Sequence, residues 1–150
     1  MADSKIPVDP LDWEIIEKLR ENGRLSNSAI ARELNITEGT VRHRVKRLTE
    51  NGVVRIAGAV KPGYMEKELL AVLGLNISES SKLREAFDEV RQLPEVRTTF
   101  ITSGRYDLMI VVAVRGNRGL INFLTNSVAS VKNIVNTESF ILLKTDNYYV

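Results

Sequence analysis

The chain has 150 residues, of which 43% are hydrophobic and 27% are charged, a composition typical of globular proteins rather than of disordered or collagen-like chains. It contains no cysteine and a single histidine, which excludes a disulfide framework, a thiolate zinc site and a cysteine nucleophile. The longest apolar runs are far shorter than the ~20 residues of a membrane-spanning helix, and the N-terminus lacks a signal-peptide core. We therefore expect a cytoplasmic protein without a metal or a cofactor.

The basic side chains are concentrated in one stretch of the sequence. The formal net charge is only +2, yet the stretch from Thr40 to Lys61 contains six basic residues and a single acid, Glu50. A local basic patch on a nearly neutral protein suggests a polyanionic partner, most often nucleic acid. A solvated helix face is the alternative.

The first predicted helix begins at Asp9-Pro10, because Asp caps a helix and Pro fits its first position. Its apolar residues recur at helical spacing from Leu11 to Leu19, and Asn22-Gly23 ends it.

Two further short helices follow at once. Ser26 caps the second and Thr37 the third, whose buried stripe is Val41, Val45 and Leu48. Two short helices joined by a tight turn indicate a helix-turn-helix.

The third helix has one apolar face and one polar, cationic face. At ~100° per residue, the side chains far from the Val41 stripe are Gly39, Thr40, Arg42, His43, Lys46 and Arg47. Such a face suits a helix that lies in the major groove, where Arg and Lys contact phosphates and guanine edges. Arg44 lies nearer the stripe, so its stem can pack while its head pairs with an acid or a phosphate.

A connector separates this part from the rest of the chain. Val53–Val60 is predicted to be a strand, and Lys61-Pro62-Gly63 breaks it. The predicted domains are residues 1–57 and residues 69–150, joined by a strand-and-turn linker at residues 58–68.

The second part contains an internal repeat of strand, helix and strand. Helices begin at Ser81 and at a cap on Asn117, and the strands are Leu69–Ile77, Val96–Thr102, Tyr106–Val114 and Ile134–Lys144. This βαββαβ order is the ferredoxin-like unit, so the fold class is α+β, with a helix-turn-helix domain followed by an antiparallel sheet that carries both helices on one face. The third strand is almost continuously apolar, so we expect a second subunit to cover its other face.

The arrangement resembles the Lrp/AsnC family of transcription regulators, also called feast/famine proteins. The resemblance is carried by LDWEIIEKLRENGRLSNSAIARELNITEGTVRHRVKRLTENGVV and by SGRYDLMIVVAV, in that order and at this separation. It implies a sequence-specific regulator that binds a near-palindromic operator on double-stranded DNA as a homodimer, and often as an octamer, under the control of an amino-acid effector.

The resemblance also implies site residues. Base edges would be contacted by Thr37, Glu38, Thr40, Arg42 and His43, and phosphates by Arg44, Lys46 and Arg47. The effector positions, at contacts between dimers, would be Ser103, Gly104, Tyr106 and Asp107, together with Thr137 and Ser139 on the last strand.

An amino-acid ligand suits the chemistry of this turn. Asp107 can pair with the ammonium group, and backbone N–H groups around Gly104 can hold the carboxylate. The alternative is that Gly104 only supplies a turn with positive φ and Asp107 only ends a hairpin. Arg105 either neutralises the carboxylate or is a solvated turn residue.

Two other functions compete with that of a regulator. An enzyme is not expected, because the sequence shows no pairing of a nucleophile with a base. A sequence-tolerant architectural DNA-binding protein shares the basic helix and is the alternative. The operator, the target genes, the sign of regulation, the identity of the effector and the choice between dimer and higher oligomer stay open.

Overall fold

A computed structural model describes residues 6–64 and 68–145 of the chain. The chain divides into two compact units, Met1–Gly58 and Ala59–Val150. Within the described residues, no helix combines the length and the apolar character needed to cross a membrane.

The first unit consists of three helices, each capped as its sequence predicts. They are α1 (Pro10–Glu21), α2 (Asn27–Glu33) and α3 (Glu38–Glu50). At α1 the side chains of Asp9 and Asp12 each accept the other's backbone N–H, which forms a reciprocal capping box. The side chains of Ser26 and Thr37 accept backbone N–H groups in the first turns of α2 and α3.

The three helices pack around one small core. Ile15 of α1, Ile30 of α2 and Val41 of α3 are completely buried at its centre. Between α2 and α3 the chain turns through Asn35, whose φ of 53° is left-handed, and Ile36 donates to the carbonyl of Ala31. The predicted helix-turn-helix is therefore formed, with α3 held by its apolar stripe.

The prediction of a strand at Val53–Val60 is wrong. Val53 and Val54 both donate to the carbonyl of Leu48 at the end of α3, and the rest of the segment is neither helix nor strand. A strand needs a neighbour to complete its hydrogen bonds, and no strand among the described residues pairs with this segment.

The second unit is a four-stranded antiparallel sheet in the order β2-β3-β1-β4. Its strands are β1 (Glu68–Ile77), β2 (Val96–Ile101), β3 (Leu108–Arg115) and β4 (Ile134–Ile141). Its helices are α4 (Leu83–Val90) and α5 (Gly116–Asn122), which continues as a π-helical stretch, Phe123–Val128. Both helices pack on one face of the sheet, where Leu73, Ile110 and Phe123 lie in the core. The α+β fold class is therefore confirmed.

Several element boundaries differ from the prediction. Helix α5 begins at Gly116, not after a cap at Asn117, because Gly116 has a φ of 61° and turns the chain directly out of β3. Ser81 lies in a short 3₁₀ turn before α4, β3 begins two residues after Tyr106, and β4 ends at Ile141, before the predicted end at Lys144.

The opposite face of the sheet is apolar and open within the described chain. The register places Val72 opposite both Val111 and Phe140, and Met109 opposite Phe100, on the face that carries no helix. Phe100 and Phe140 are 49% and 43% exposed. This surface, called the open face below, comprises the outward side chains of all four strands.

Candidate nucleic-acid interface and ligand site

The outward face of α3 carries exposed cations that have only weak partners. The side chains of Arg42 and Lys46 are 67% and 71% exposed. Arg42 pairs with Glu38, and the Lys46 Nζ lies 3.8 Å from a carboxylate oxygen of Glu50, each one turn away on the same helix. Exposed pairs of this kind stabilise little, so both cations can exchange their partners for another anion.

A cavity of about 670 Å³ opens beside the first turns of α3. Its wall includes the hydroxyl groups of Thr37 and Thr40, the imidazole of His43 and the bare backbone of Gly39. These groups offer hydrogen-bond donors and acceptors at the helix N-terminus, with no bulky side chain at Gly39 to prevent close approach.

Arg44 and Arg47 also line this cavity, but their guanidinium groups form hydrogen bonds around the start of α1. Arg44 Nη1 donates to Asp9 Oδ2 at 2.6 Å and to Asp12 Oδ1 at 2.9 Å. Arg47 donates to Asp12 Oδ2 through Nη2 and to the carbonyl of Pro7 through Nη1, the latter at 3.2 Å. The Asp12 side chain is completely buried, so two positive charges of α3 converge on a carboxylate inside the unit.

The ionisation of this network follows from its contacts. Burial raises the pKa of Asp12, but the N–H of Asp9 and the guanidinium groups of Arg44 and Arg47 together outweigh burial and hold that pKa below its ordinary value. The hydrogen bond from Arg44 likewise lowers the pKa of Asp9. The two carboxylates in turn raise the pKa of Arg44.

The eight residues expected at DNA therefore fall into two groups. Arg44 and Arg47 are half-buried in ion pairs with α1. The other six lie on the solvent side of α3, and they are Thr37, Glu38, Thr40, Arg42, His43 and Lys46. The sequence pattern identified the helix face, but it did not identify Asp12 as the partner of the two arginines.

The second group of expected residues lies at the turn between β2 and β3. Ser103 and Gly104 are exposed, and Gly104 has a φ of 152°. Asp107 ties the turn to the end of β1, since its Oδ2 accepts the N–H of Ile77 at 2.8 Å. Its second oxygen, Oδ1, receives no hydrogen bond from the described residues. Asp107 thus anchors the turn and still has an acceptor available.

Tyr106 fills the space above Gly74 on the open face. A Cβ at Gly74 would lie 2.5 Å from the Tyr106 ring, so only glycine fits there. The phenol donates to Glu138 of β4, and Arg105 Nη2 lies 3.3 Å from the same carboxylate. The hydrogen bond to Glu138, together with burial, raises the pKa of Tyr106.

Thr137 and Ser139 do not join this cluster. They pair with Leu75 and Leu73, whose side chains lie in the core under the helices. Glu138 pairs with Gly74 and therefore shares the face of Tyr106. The alternation of a strand could have singled out Glu138, because residues 137 and 139 point away from residue 138.

Comparison with known proteins bears on both units. The model of the winged helix-turn-helix DNA-binding domain matches residues 8–55, and that of the Lrp/AsnC ligand binding domain matches residues 70–148.

The chain belongs to the Lrp/AsnC family.

Similar proteins support this over almost the full length of the chain. The HTH-type transcriptional regulator Ptr1 of Methanocaldococcus jannaschii is 34% identical, over 92% of this chain and 93% of its own. AsnC of E. coli superposes with a TM-score of 0.72 at 25% identity, over 93% and 95% of the two chains. A regulator from Neisseria meningitidis, solved as an L-Met complex, superposes with a TM-score of 0.74 at 25% identity, over 95% and 94%.

This Lrp/AsnC protein is therefore a helix-turn-helix transcriptional regulator with a ligand-binding domain. Its partners are accordingly DNA and a small molecule. The relatives are regulators, in agreement with the expectation that the protein is not an enzyme.

The Asp12 network predicts a loss of stability in acid. The pKa of Asp12 is lower in the folded state, so its stabilisation is complete above its unfolded pKa of ~3.9 and is lost as the pH falls through the folded value. We expect the melting temperature of the first unit, followed by the fluorescence of the single tryptophan, Trp13, to be level between about pH 7 and 5 and to fall below about pH 4.

The variant Asp12→Asn should lose about 3 kcal/mol at neutral pH, because two arginines lose a buried partner, and should show a smaller further loss in acid. Glu14→Gln, on the exposed side of α1, is the control and should behave as wild type. Identical pH profiles for Asp12→Asn and wild type would contradict the assignment.

Proposed function

We propose that this regulator binds a near-palindromic operator through α3 and that an amino acid bound at the Gly104 turn controls the binding. In domain terms, residues 1–57 contact DNA, residues 69–150 bind the effector and form the oligomer, and residues 58–68 join them. The observation that carries the proposal is the exposed polar and cationic face of α3, supported from behind by its buried stripe.

Some side chains of α3 contact DNA bases in this proposal, and others contact the phosphate backbone of the DNA. A helix fits the major groove with its N-terminal residues at base edges. Thr37, Glu38, Thr40, Arg42 and His43 occupy that end and contact bases. Lys46, two turns further along, contacts a phosphate.

Glu38 favours a sequence-specific regulator over the architectural alternative. A carboxylate near DNA repels phosphates, so it weakens binding to arbitrary duplexes. It accepts a hydrogen bond from the amino group of cytosine.

The turn between β2 and β3 offers what a free amino acid requires. The available Oδ1 of Asp107 receives the ammonium group, and backbone N–H groups of Ser103 and Gly104 receive the carboxylate. The L-Met complex of the Neisseria meningitidis neighbour supports this ligand class. Tyr106 and Glu138 border the turn, whereas Thr137 and Ser139, on the other face, contribute only if a second subunit brings them to the ligand.

The open face is proposed to pack against a second copy of the chain. Its apolar centre, around Val72 and Val111, is flanked by charges of both signs at each end. Glu68 pairs with Arg97 at 3.5 Å at one end, and Glu138 pairs with Arg105 at the other. A face that carries both signs complements itself under two-fold symmetry, and a two-fold dimer presents two copies of α3 to a palindromic site.

DNA binding is tested with the double variant Arg42→Gln, Lys46→Gln. Binding of wild type to an operator selected from a pool of random duplexes should weaken steeply with salt, because phosphate contacts release counterions. The double variant should bind about tenfold or more weakly at fixed salt and melt at the wild-type temperature. The double variant Arg84→Gln, Arg91→Gln, at exposed positions in α4 and directly after it, removes the same charge and is the control. Unchanged binding by the double variant would refute the role of α3.

Effector binding is tested by thermal shift against the twenty amino acids. A ligand at 100 times its Kd stabilises by about 2.7 kcal/mol, so at least one amino acid should raise the melting temperature by several degrees. Asp107→Asn keeps an acceptor for the N–H of Ile77 but removes the charge, and should abolish the shift. Asp88→Asn, an exposed acid on α4, should retain it. The absence of a shift with every amino acid would remove the effector proposal.

Dimerisation is tested by light scattering after size exclusion at micromolar concentration. Wild type should have the mass of a dimer or of a multiple of it. Phe100→Glu should lower the mass to that of a monomer, because it places a charge on the open face. Ile121→Glu, at an apolar position on α5 that is 60% exposed, should leave the mass unchanged. A monomeric wild type would contradict the proposal.

A further inference from the structure

We propose that Asp12 is a specificity-determining residue that acts from inside the fold, as an internal counter-ion that withholds Arg44 and Arg47 from DNA phosphates. The inference rests on the proposed binding of DNA through α3 and concerns how the cations of that helix are shared. It replaces the expectation that both arginines hold phosphates.

The first step is the geometry of the carboxylate. The Asp12 side chain is completely buried, and both of its oxygens are occupied. Oδ1 accepts Arg44, while Oδ2 accepts Arg47 and, at 3.0 Å, the backbone N–H of Asp9. Both guanidinium groups are therefore held at α1, beside the cavity that they line, and a phosphate that took an arginine over would have to break its bond to an acid that solvent does not reach.

The second step compares what each exchange would cost. Moving Arg44 or Arg47 fully onto a phosphate would break its bond to Asp12 and leave a buried carboxylate short of a partner, which is strongly unfavourable. Recruiting Arg42 or Lys46 would break only exposed pairs, which contribute little. A phosphate therefore competes successfully for Arg42 and Lys46 and unsuccessfully for the two arginines that are bonded to Asp12.

The consequence is a lower affinity for arbitrary DNA. Non-specific binding grows with the number of phosphates that a protein neutralises. Removing two arginines from that number leaves a larger share of the binding energy to side chains at base edges. Discrimination between the operator and other duplexes rises accordingly.

The first experiment compares Arg44→Gln with Lys46→Gln, which remove equal charge from the same helix. The equilibrium constant for a duplex of arbitrary sequence is measured against NaCl concentration, well below each variant's melting temperature. Log K falls as log salt rises, and the steepness of this fall is called the slope here. Lys46→Gln should reduce the slope by about 1 and leave the melting temperature unchanged. Arg44→Gln should lower the melting temperature and leave the slope unchanged.

The second experiment releases the arginines. Asp12→Asn should raise the slope on the arbitrary duplex by about 1 to 2, as Arg44 and Arg47 turn to phosphates, and should reduce the preference for the selected operator by about tenfold or more. Glu14→Gln changes the charge of α1 equally at an exposed position and should alter neither. A merely structural role for Asp12 would weaken binding to both duplexes and would not raise the slope.

The outcomes separate this inference from the proposed function. If wild type binds no duplex in a salt-dependent way, the proposed function fails and the inference fails with it. If wild type binds and Arg44→Gln lowers the slope as much as Lys46→Gln does, the proposed function stands and the counter-ion role of Asp12 is overturned. If Asp12→Asn does not fold, by Trp13 fluorescence, the comparison of Arg44 with Lys46 decides alone.

Discussion

The orientation of α3 on α1 depends on one buried carboxylate. Asp12 closes the capping box of α1 through Oδ2, and the two oxygens of the same carboxylate receive Arg44 and Arg47 of α3. The start of one helix and the middle of another therefore meet at a single point. A buried charge is tolerated only when its partners hold it in one arrangement, so the carboxylate defines how α3 lies on α1. The apolar core alone would permit small rotations, because dispersion contacts are not directional.

The second unit meets a comparable constraint at its open face. Tyr106 lies over Gly74 and reaches across the sheet to Glu138 of β4. The same residue follows the turn that begins at Gly104, and the next residue, Asp107, holds that turn to the end of β1. A ligand that draws on Asp107 would therefore act on backbone that is continuous with the open face. Under the proposed assembly, the effector contact at Asp107 and the subunit contact at Tyr106 lie on adjacent residues.

The sequence predicts the local features of the fold but not the contacts between distant residues. The caps at Asp9, Ser26 and Thr37 rely on local hydrogen bonds between residues three apart, so the spacing alone was sufficient. The ion pairs of Arg44 with Asp9 and Asp12 join residues more than thirty positions apart. The periodicity of apolar residues along the sequence does not reveal such a partner. The false strand at residues 53–60 has β-forming residues but lacks a neighbouring strand, which a single sequence does not show.

The expected ligand residues show the same difference between local features, which the sequence predicts, and contacts across the sheet, which it does not. The turn at Gly104 and Asp107 is local, and the structure forms it as expected. Thr137 and Ser139 lie on the correct strand, but strand alternation turns them into the helix-covered face and brings Glu138 to Tyr106 instead. Glu138 already has a cationic partner in Arg105, whereas Asp107 accepts only a backbone N–H and pairs with no cation among the described residues. Under the proposed function, the ammonium group of an amino acid is therefore better matched to Asp107 than to Glu138.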